Sequence, residues 1–218
     1  MKYLYELIHD KELAKVKVIE NNEPMILINE KSWLQIQNFS SEYLGIKKNE
    51  TYLRKTVFNL LKKVQDYLPN GYTILLIDGY RPFKWQLQRF LIQFVKQYNI
   101  HKEKSFDEIY DIASRWTAPV FEIVAPHTTG SAIDLTLLKD DIEIDMGTKV
   151  NEFNEKTKTI NENITVLQKN NRQILIDAMH KAGFINYPTE WWHWAYGDQY
   201  WAKIKNETSI YGTTKIHK

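Results

Sequence analysis

The chain has no cysteine, and that absence narrows its chemistry at once. Without a thiol there are no disulfide staples, zinc fingers, iron–sulfur clusters or cysteine nucleophiles, and any metal must be held by nitrogen and oxygen. Long apolar runs are missing as well. No uncharged stretch approaches the roughly twenty residues that cross a bilayer. The opening segment carries Glu6, His9, Asp10, Lys11 and Glu12 where a secretory signal needs an unbroken apolar core, so the expected location is the cytoplasm, with no membrane partner. Charge of one sign is not concentrated anywhere either. Lys and Arg number 29 against 27 Asp and Glu, interspersed along the chain, and no basic block is available to track a phosphate backbone. Nucleic acid is therefore not an expected partner.

What is present is material for a core: 218 residues, 43% hydrophobic and 13% aromatic, enough for one sizeable domain. Residues 53–68 place Leu53, Val57, Leu60, Leu61, Val64 and Leu68 at spacings of three and four, which predicts an amphipathic helix closed by Pro69-Asn70-Gly71. Tyr72–Ile77 predicts a buried strand ended by Asp78-Gly79, and Arg81 sits at its exit. Pro82 then opens a helix over about 83–98, with Trp85, Leu87, Phe90, Leu91, Phe94 and Val95 as its buried stripe. A third helix is expected near 106–116 and a last long one over 166–182, with Gly183 as its left-handed cap. Ser131–Leu137 alternates, with Ala132, Asp134 and Thr136 on one side and Ile133, Leu135 and Leu137 on the other. Trp191–Trp194 reads as a further strand. With no internal repeat and no linker, the expectation is one α+β domain over 1–218, its motifs within about 53–201, with a small central antiparallel sheet and flanking helices.

Two segments carry chemistry: His127-Thr-Thr-Gly-Ser-Ala-Ile-Asp134 and Glu190-Trp-Trp-His193. Hydrolytic zinc uses three protein ligands and keeps a fourth position for water, so His127, Asp134 and His193 suit the metal while Glu190 remains as a base. In a regular strand residues three apart face opposite ways, so Glu190 is expected just outside the strand of His193, or across a bulge from it. A lone His or Asp is more often a surface or hydrogen-bonded core residue; the combination is what points to a site. The remaining histidines, His9, His101, His180 and His217, are read as non-functional, His180 as a cation complementing the end of its helix. Trp191, Trp192 and Trp194 are read as core and pocket wall. Arg81 on its glycine-containing turn is placed to supply positive charge to an oxyanion.

These residues are similar to those of the zinc D-alanyl-D-alanine dipeptidases of bacterial cell-wall metabolism, the VanX type, within a larger group of zinc D,D-peptidases. The resemblance runs from about Asp78 to Gly197 and rests on Asp78-Gly-Tyr-Arg-Pro82, His127-x-x-Gly-Ser-Ala-Ile-Asp-Leu-Thr-Leu137, Asp145-Met-Gly-Thr148 and Glu190-Trp-Trp-His193. It implies one zinc per chain held by His127, Asp134 and His193, Glu190 as catalytic base, Arg81 as the transition-state arginine, and a small dipeptide as substrate. Two positions depart from the pattern: Ala125 stands where such dipeptidases carry Ser, and Val150-Asn151 where they tend to read Phe-Asp, the Asp holding the substrate ammonium. Asn151 is thereby a substrate-binding candidate with a neutral amide in place of a charge. A D,D-carboxypeptidase on peptidoglycan stems and a non-catalytic peptidoglycan-binding module are the alternative readings.

Overall fold

The computed structural model describes residues 7–29, 31–37, 49–152 and 154–216. Numbered along the chain, its elements begin with a short helix α1 (Asp10–Leu13), strands β1 (Met25–Ile28), β2 (Gln35–Ile36) and β3 (Thr51–Arg54), and helix α2 (Lys55–Tyr67). Strand β4 (Tyr72–Asp78) and helices α3 (Phe83–Ile100) and α4 (Phe106–Ser114) follow. A 3₁₀ turn at Pro126–Thr129 leads into β5 (Ala132–Lys139) and β6 (Ile142–Glu143). The described part ends with α5 (Val166–Lys181), β7 (Ile185–Asn186), β8 (His193–Ala195) and α6 (Gln199–Lys205).

The main sheet runs β2-β4-β5-β8-β7, with β6 pairing the far end of β5. The class is α+β as the sequence implies, but the sheet is mixed: β2 joins β4 in parallel, while the other pairs are antiparallel. The long connection through β3 and α2 permits this, since parallel neighbours need a crossover of a dozen residues or more. Ile133, Leu135 and Leu137 of β5 pack with Ile74 and Leu76 of β4, Leu175 and Met179 of α5, and Trp191, Trp192 and Trp194 in one buried cluster. Each such side chain contributes about 1.5–3 kcal/mol by leaving water. The alternate face is left to Ala132, Asp134 and Thr136, so the pleat that fills the core also presents a carboxylate on the other side.

Several expectations need correction. Leu53 lies in β3, paired with Ile26 of β1, and α2 starts two residues later. On α3 only Phe90 of the six stripe residues is buried; Leu91 is 48% and Val95 54% exposed, and the helix buries Gln86 and Gln97 instead. Its neighbours set this face: Gln86 donates to the Ala118 carbonyl at 2.9 Å, and the ring pairs Phe90–Tyr110 and Phe94–Phe106 pack α3 against α4. Helices α4 and α5 start where their capping boxes place them, at Ser105/Glu108 and Thr165/Gln168. Gly183 follows α5 at φ +98°, where a side chain would be strained. His180 is not the cation expected: burial, with Lys205 nearby, pushes it down to about 4, and its neutral ring sits 5.2 Å from that of Trp194. His217 lies outside the described residues.

Candidate active site

Asp134 sits mid-strand in β5, and the register places a functional neighbour on each side of it: Asp78 of β4 and His193 of β8. A register shift between Leu76 and Asp78 re-aims Asp78 at the strand end, as a bulge does beside many active sites. Glu190 lies ahead of β8, in a turn closed by the His193 amide donating to the Glu190 carbonyl at 3.1 Å, so the regular strand geometry does not apply to this pair. Asn186 holds the same turn, its Nδ2 donating to the carbonyls of both Glu190 and His193. His127 comes from the 3₁₀ turn, which Gly130 ends at φ +74° before β5 begins. The turn at Gly79 is packed against Thr51 and Leu53 so closely that a Cβ there would lie 2.8 Å from Thr51 Oγ1. Glycine lets that backbone reach His127.

The donor atoms converge. His127 Nδ1 donates to the Gly79 carbonyl at 2.7 Å, which turns Nε2 toward the other two donors. That Nε2 is buried with no hydrogen bond, 3.3 Å from Asp134 Oδ1. His193 Nδ1 approaches the same oxygen at 2.9 Å, and one atom from each of the three residues lies within 4.8 Å of the others. Tetrahedral zinc with bonds of about 2.0–2.1 Å sets its ligands roughly 3.3 Å apart, so two nitrogens and one oxygen at these spacings fit the ion. The orphaned Nε2 is the observation that favours a metal over a simple hydrogen-bonded cluster.

Asp134 Oδ2, turned away from the imidazoles, accepts from Arg81 Nη2 at 3.0 Å, while Arg81 Nε donates to Asp78 Oδ2 at 2.7 Å. Arg81 Nη1 has only a 3.4 Å contact to Gln86 Oε1. The guanidinium therefore spans two carboxylates side by side in the sheet. Burial opposes ionisation of Asp134, but the imidazoles hold it well below the usual carboxylate range. Glu190 is the reverse case: burial pushes it up to about 7, with Asp134 adding like charge, against the attraction of His193, Arg81 and Arg89. A carboxyl near neutrality is suited to moving protons, and a bound cation would lower it again.

The model of the Peptidase M15 family, described as D-ala-D-ala dipeptidase, matches residues 29–210. The chain belongs to this family. A D-alanyl-D-alanine dipeptidase of Synechocystis sp. is 31% identical over 165 residues, covering 63% of this chain and 64% of that protein. Another of that name from Enterococcus faecium is 32% identical over 150 residues, covering 65% and 70%. The match to the Synechocystis relative thus spans somewhat under two thirds of its length. Among solved structures, the LdcB LD-carboxypeptidase aligns at 21% identity with a TM-score of 0.47, over 86% of this chain and 77% of that one.

In this M15 chain the site opens into a cavity that Arg81, His127, Asp134, Glu190 and His193 all line. Asn151 lines it too, on left-handed backbone at φ +63°. Three further groups in the wall escaped the sequence reading: Arg89 of α3, Asp10 of α1, and Tyr187, whose ring stands 5.8 Å from that of His193. Arg81 precedes α3 and Arg89 lies within it, so no helical periodicity links the two and the sequence carries no local signal for Arg89. The tryptophans around His193 are core and not wall: Trp191, Trp192 and Trp194 are each at most 1% exposed, and none borders the cavity. Ala125 is buried in the 3₁₀ turn, its carbonyl taken by Thr128. Among the described residues no helix is long and apolar enough to cross a membrane.

Proposed function

We propose that this chain is a zinc dipeptidase that hydrolyses D-alanyl-D-alanine or a closely similar small dipeptide in cell-wall metabolism. His127, Asp134 and His193 hold one zinc, and Glu190 is the base. The observation that carries the reading is the convergence of three buried donors, one an orphaned nitrogen, beside a buried carboxyl near neutrality in a single cavity. Membership in the family and the dipeptidase activity for which the relatives are named support the substrate class.

Zinc bound there supplies Lewis acidity, polarising a carbonyl and bringing the pKa of water toward about 7. The protein does the rest. Glu190 takes the proton of the attacking water and returns it to the leaving amine, the acid–base work its burial suits it for. Arg81 fixes Asp134 through Oδ2, and of its five N–H donors it keeps one on Nη1 and one on Nη2 for charge that develops on the substrate. The Asn186 amide keeps Glu190 and His193 at their separation by binding both carbonyls. A binding module needs no base beside its metal, so the intact Glu190 favours an enzyme.

The test is release of D-alanine from D-Ala-D-Ala by the zinc-loaded protein, run beside a pentapeptide stem. Turnover of the dipeptide alone is the expected result; cleavage of the stem alone makes the chain a D,D-carboxypeptidase, and turnover of neither overturns the assignment.

A further inference from the structure

Arg89 of α3 lines the cavity together with the metal ligands, and the reaction leaves it without a task. It is partly buried, and the side-chain partner of its Nη2 is Asn151 Oδ1 at 3.5 Å, the limit of hydrogen-bonding distance. The nearby acids Asp78 and Asp134 are both taken by Arg81 at 2.7 and 3.0 Å. Among the described residues no carboxylate pairs with Arg89. Arg81's like charge, and then burial, push its pKa down, yet a guanidinium stays protonated at any working pH. The cavity therefore holds a guanidinium that no carboxylate contacts among the described residues, with Asp78, Asp134 and Glu190 acting on it only at longer range, so a position is left for the carboxylate of a ligand.

Asn151 strengthens the case for an anion. A guanidinium only donates, so the amide turns its oxygen to Arg89 and leaves the Nδ2 donors for something else. Arginine and amide together form a row of N–H groups, the complement of a carboxylate. Elsewhere in the same wall stands Asp10, which with Ser114, Arg115 and Tyr187 also borders a neighbouring hollow that Arg89 and Asn151 do not reach. Its carboxyl is pushed up to about 6 by burial, eased by Ser114, with Glu122 and Asp111 adding like charge. A cation beside it would relieve that cost.

We propose that Arg89 and Asn151 form the carboxylate subsite of this cavity and Asp10 its ammonium subsite, so that a zwitterionic dipeptide lies with its carboxylate on α3 and its amino end toward α1. The proposal rests on the dipeptidase reading above, and it reverses the end of the substrate that the resemblance assigns to position 151.

The experiment measures binding by titration calorimetry on the zinc-loaded protein carrying Glu190→Gln, which keeps its metal but not its turnover, with three probes: D-Ala-D-Ala, its C-terminal amide and its N-acetyl derivative. The further variants are made in this background, and cleavage is assayed separately with Glu190 in place. With both subsites intact the protein should bind the free acid about tenfold more tightly than the amide, the scale of a charge-assisted pair. Arg89→Gln should remove that preference while leaving the amide's affinity within about twofold, and Arg89→Lys should restore part of it. Asp10→Asn should remove the preference for the free amine over the acetylated probe and leave the acid-over-amide ratio alone. Because each ratio is taken within one variant, partial loss of folded protein cancels. An unchanged acid-over-amide ratio in Arg89→Gln, or failure of all three probes to bind, overturns the subsites. If the ratios behave as expected but no probe is cleaved, the dipeptidase reading fails and the subsites stand. If the dipeptide is cleaved but the ratios do not move, the reverse holds.

Discussion

The two walls of the cavity are built differently. On the sheet wall, Asp134 is flanked in register by Asp78 and His193, and His127, Asp78 and Asp134 are each held by a protein partner, with His127 Nε2 left over for the metal: Gly79 holds His127, Arg81 holds both carboxylates, and Asn186 holds the turn before β8. On the helix and loop wall, Arg89 and Asn151 share one long contact, and Asp10 sits on a helix of four residues. Pairing of strands fixes positions to fractions of an ångström, which metal geometry demands, whereas recognition groups wait for a ligand to complete their bonds. The comparison predicts that damage to the sheet wall removes chemistry, while damage to the other wall changes preference.

The largest loss should come from the ligands. His193→Ala or His127→Ala removes a nitrogen from a three-donor set and should abolish both stoichiometric zinc, measured by atomic absorption, and all hydrolysis. A variant that kept its metal would break the comparison at its strongest point. Next is Glu190→Gln, which preserves size and leaves the ligands in place. Zinc content should be unchanged while kcat falls by roughly 10² to 10⁴, the scale of a general base. A near-normal rate would move the proton to another residue.

Arg81→Ala should act twice. Loss of its remaining donors should lower kcat by about 10², with a smaller effect on KM. It also leaves Asp78 and Asp134 adjacent without their shared cation, so thermal unfolding should shift down as well, by an amount of the order of 3–5 kcal/mol for a broken buried pair. Stability lost without any change in kcat would make Arg81 purely structural. A smaller effect concerns the core behind the sheet. His180 is held neutral by burial down to about pH 4, while in the unfolded chain it takes its proton near 6.5. The unfolded state thus binds the extra proton between these values, and stability, full above about pH 6.5, should decline as pH falls toward 4. His180→Phe should flatten that part of the profile without altering turnover; an unchanged profile would place the acid sensitivity elsewhere.

The sheet wall was also the legible one. Alternation along 131–137 puts Asp134 opposite Ile133 and Leu135, and capping boxes mark where α4 and α5 begin, because these signals are local. The other wall depends on contacts between distant residues. Arg89 looks like one more solvated charge on a helix, and only its meeting with Asn151, 62 positions on, gives it a role. The same tertiary context misled the reading of α3: Leu91 and Val95 repeat like a core stripe, yet the helix turns Gln86 and Gln97 inward. Similarly, the short pairing of β2 with β4 across a connection of more than thirty residues leaves no periodic trace.

The smallest expected effect is the most discriminating. Asn151→Asp restores the residue that the resemblance expects, and on that view the new charge should grip the substrate ammonium and lower KM for D-Ala-D-Ala. The structure places position 151 against a guanidinium instead, 3.5 Å from Arg89 Nη2. A carboxylate there would pair with Arg89 and neutralise it, taking from the substrate the cation we assign to its carboxylate. KM should then rise by about threefold to tenfold, kcat should stay within a factor of about two because the sheet wall is untouched, and the acid-over-amide preference should shrink toward that of Arg89→Gln. Combining Asn151→Asp with Arg89→Gln should add little to either change, since both act on one pair. A lowered KM in the single variant, with full additivity in the double, would return the ammonium to position 151 and leave Arg89 as a bystander.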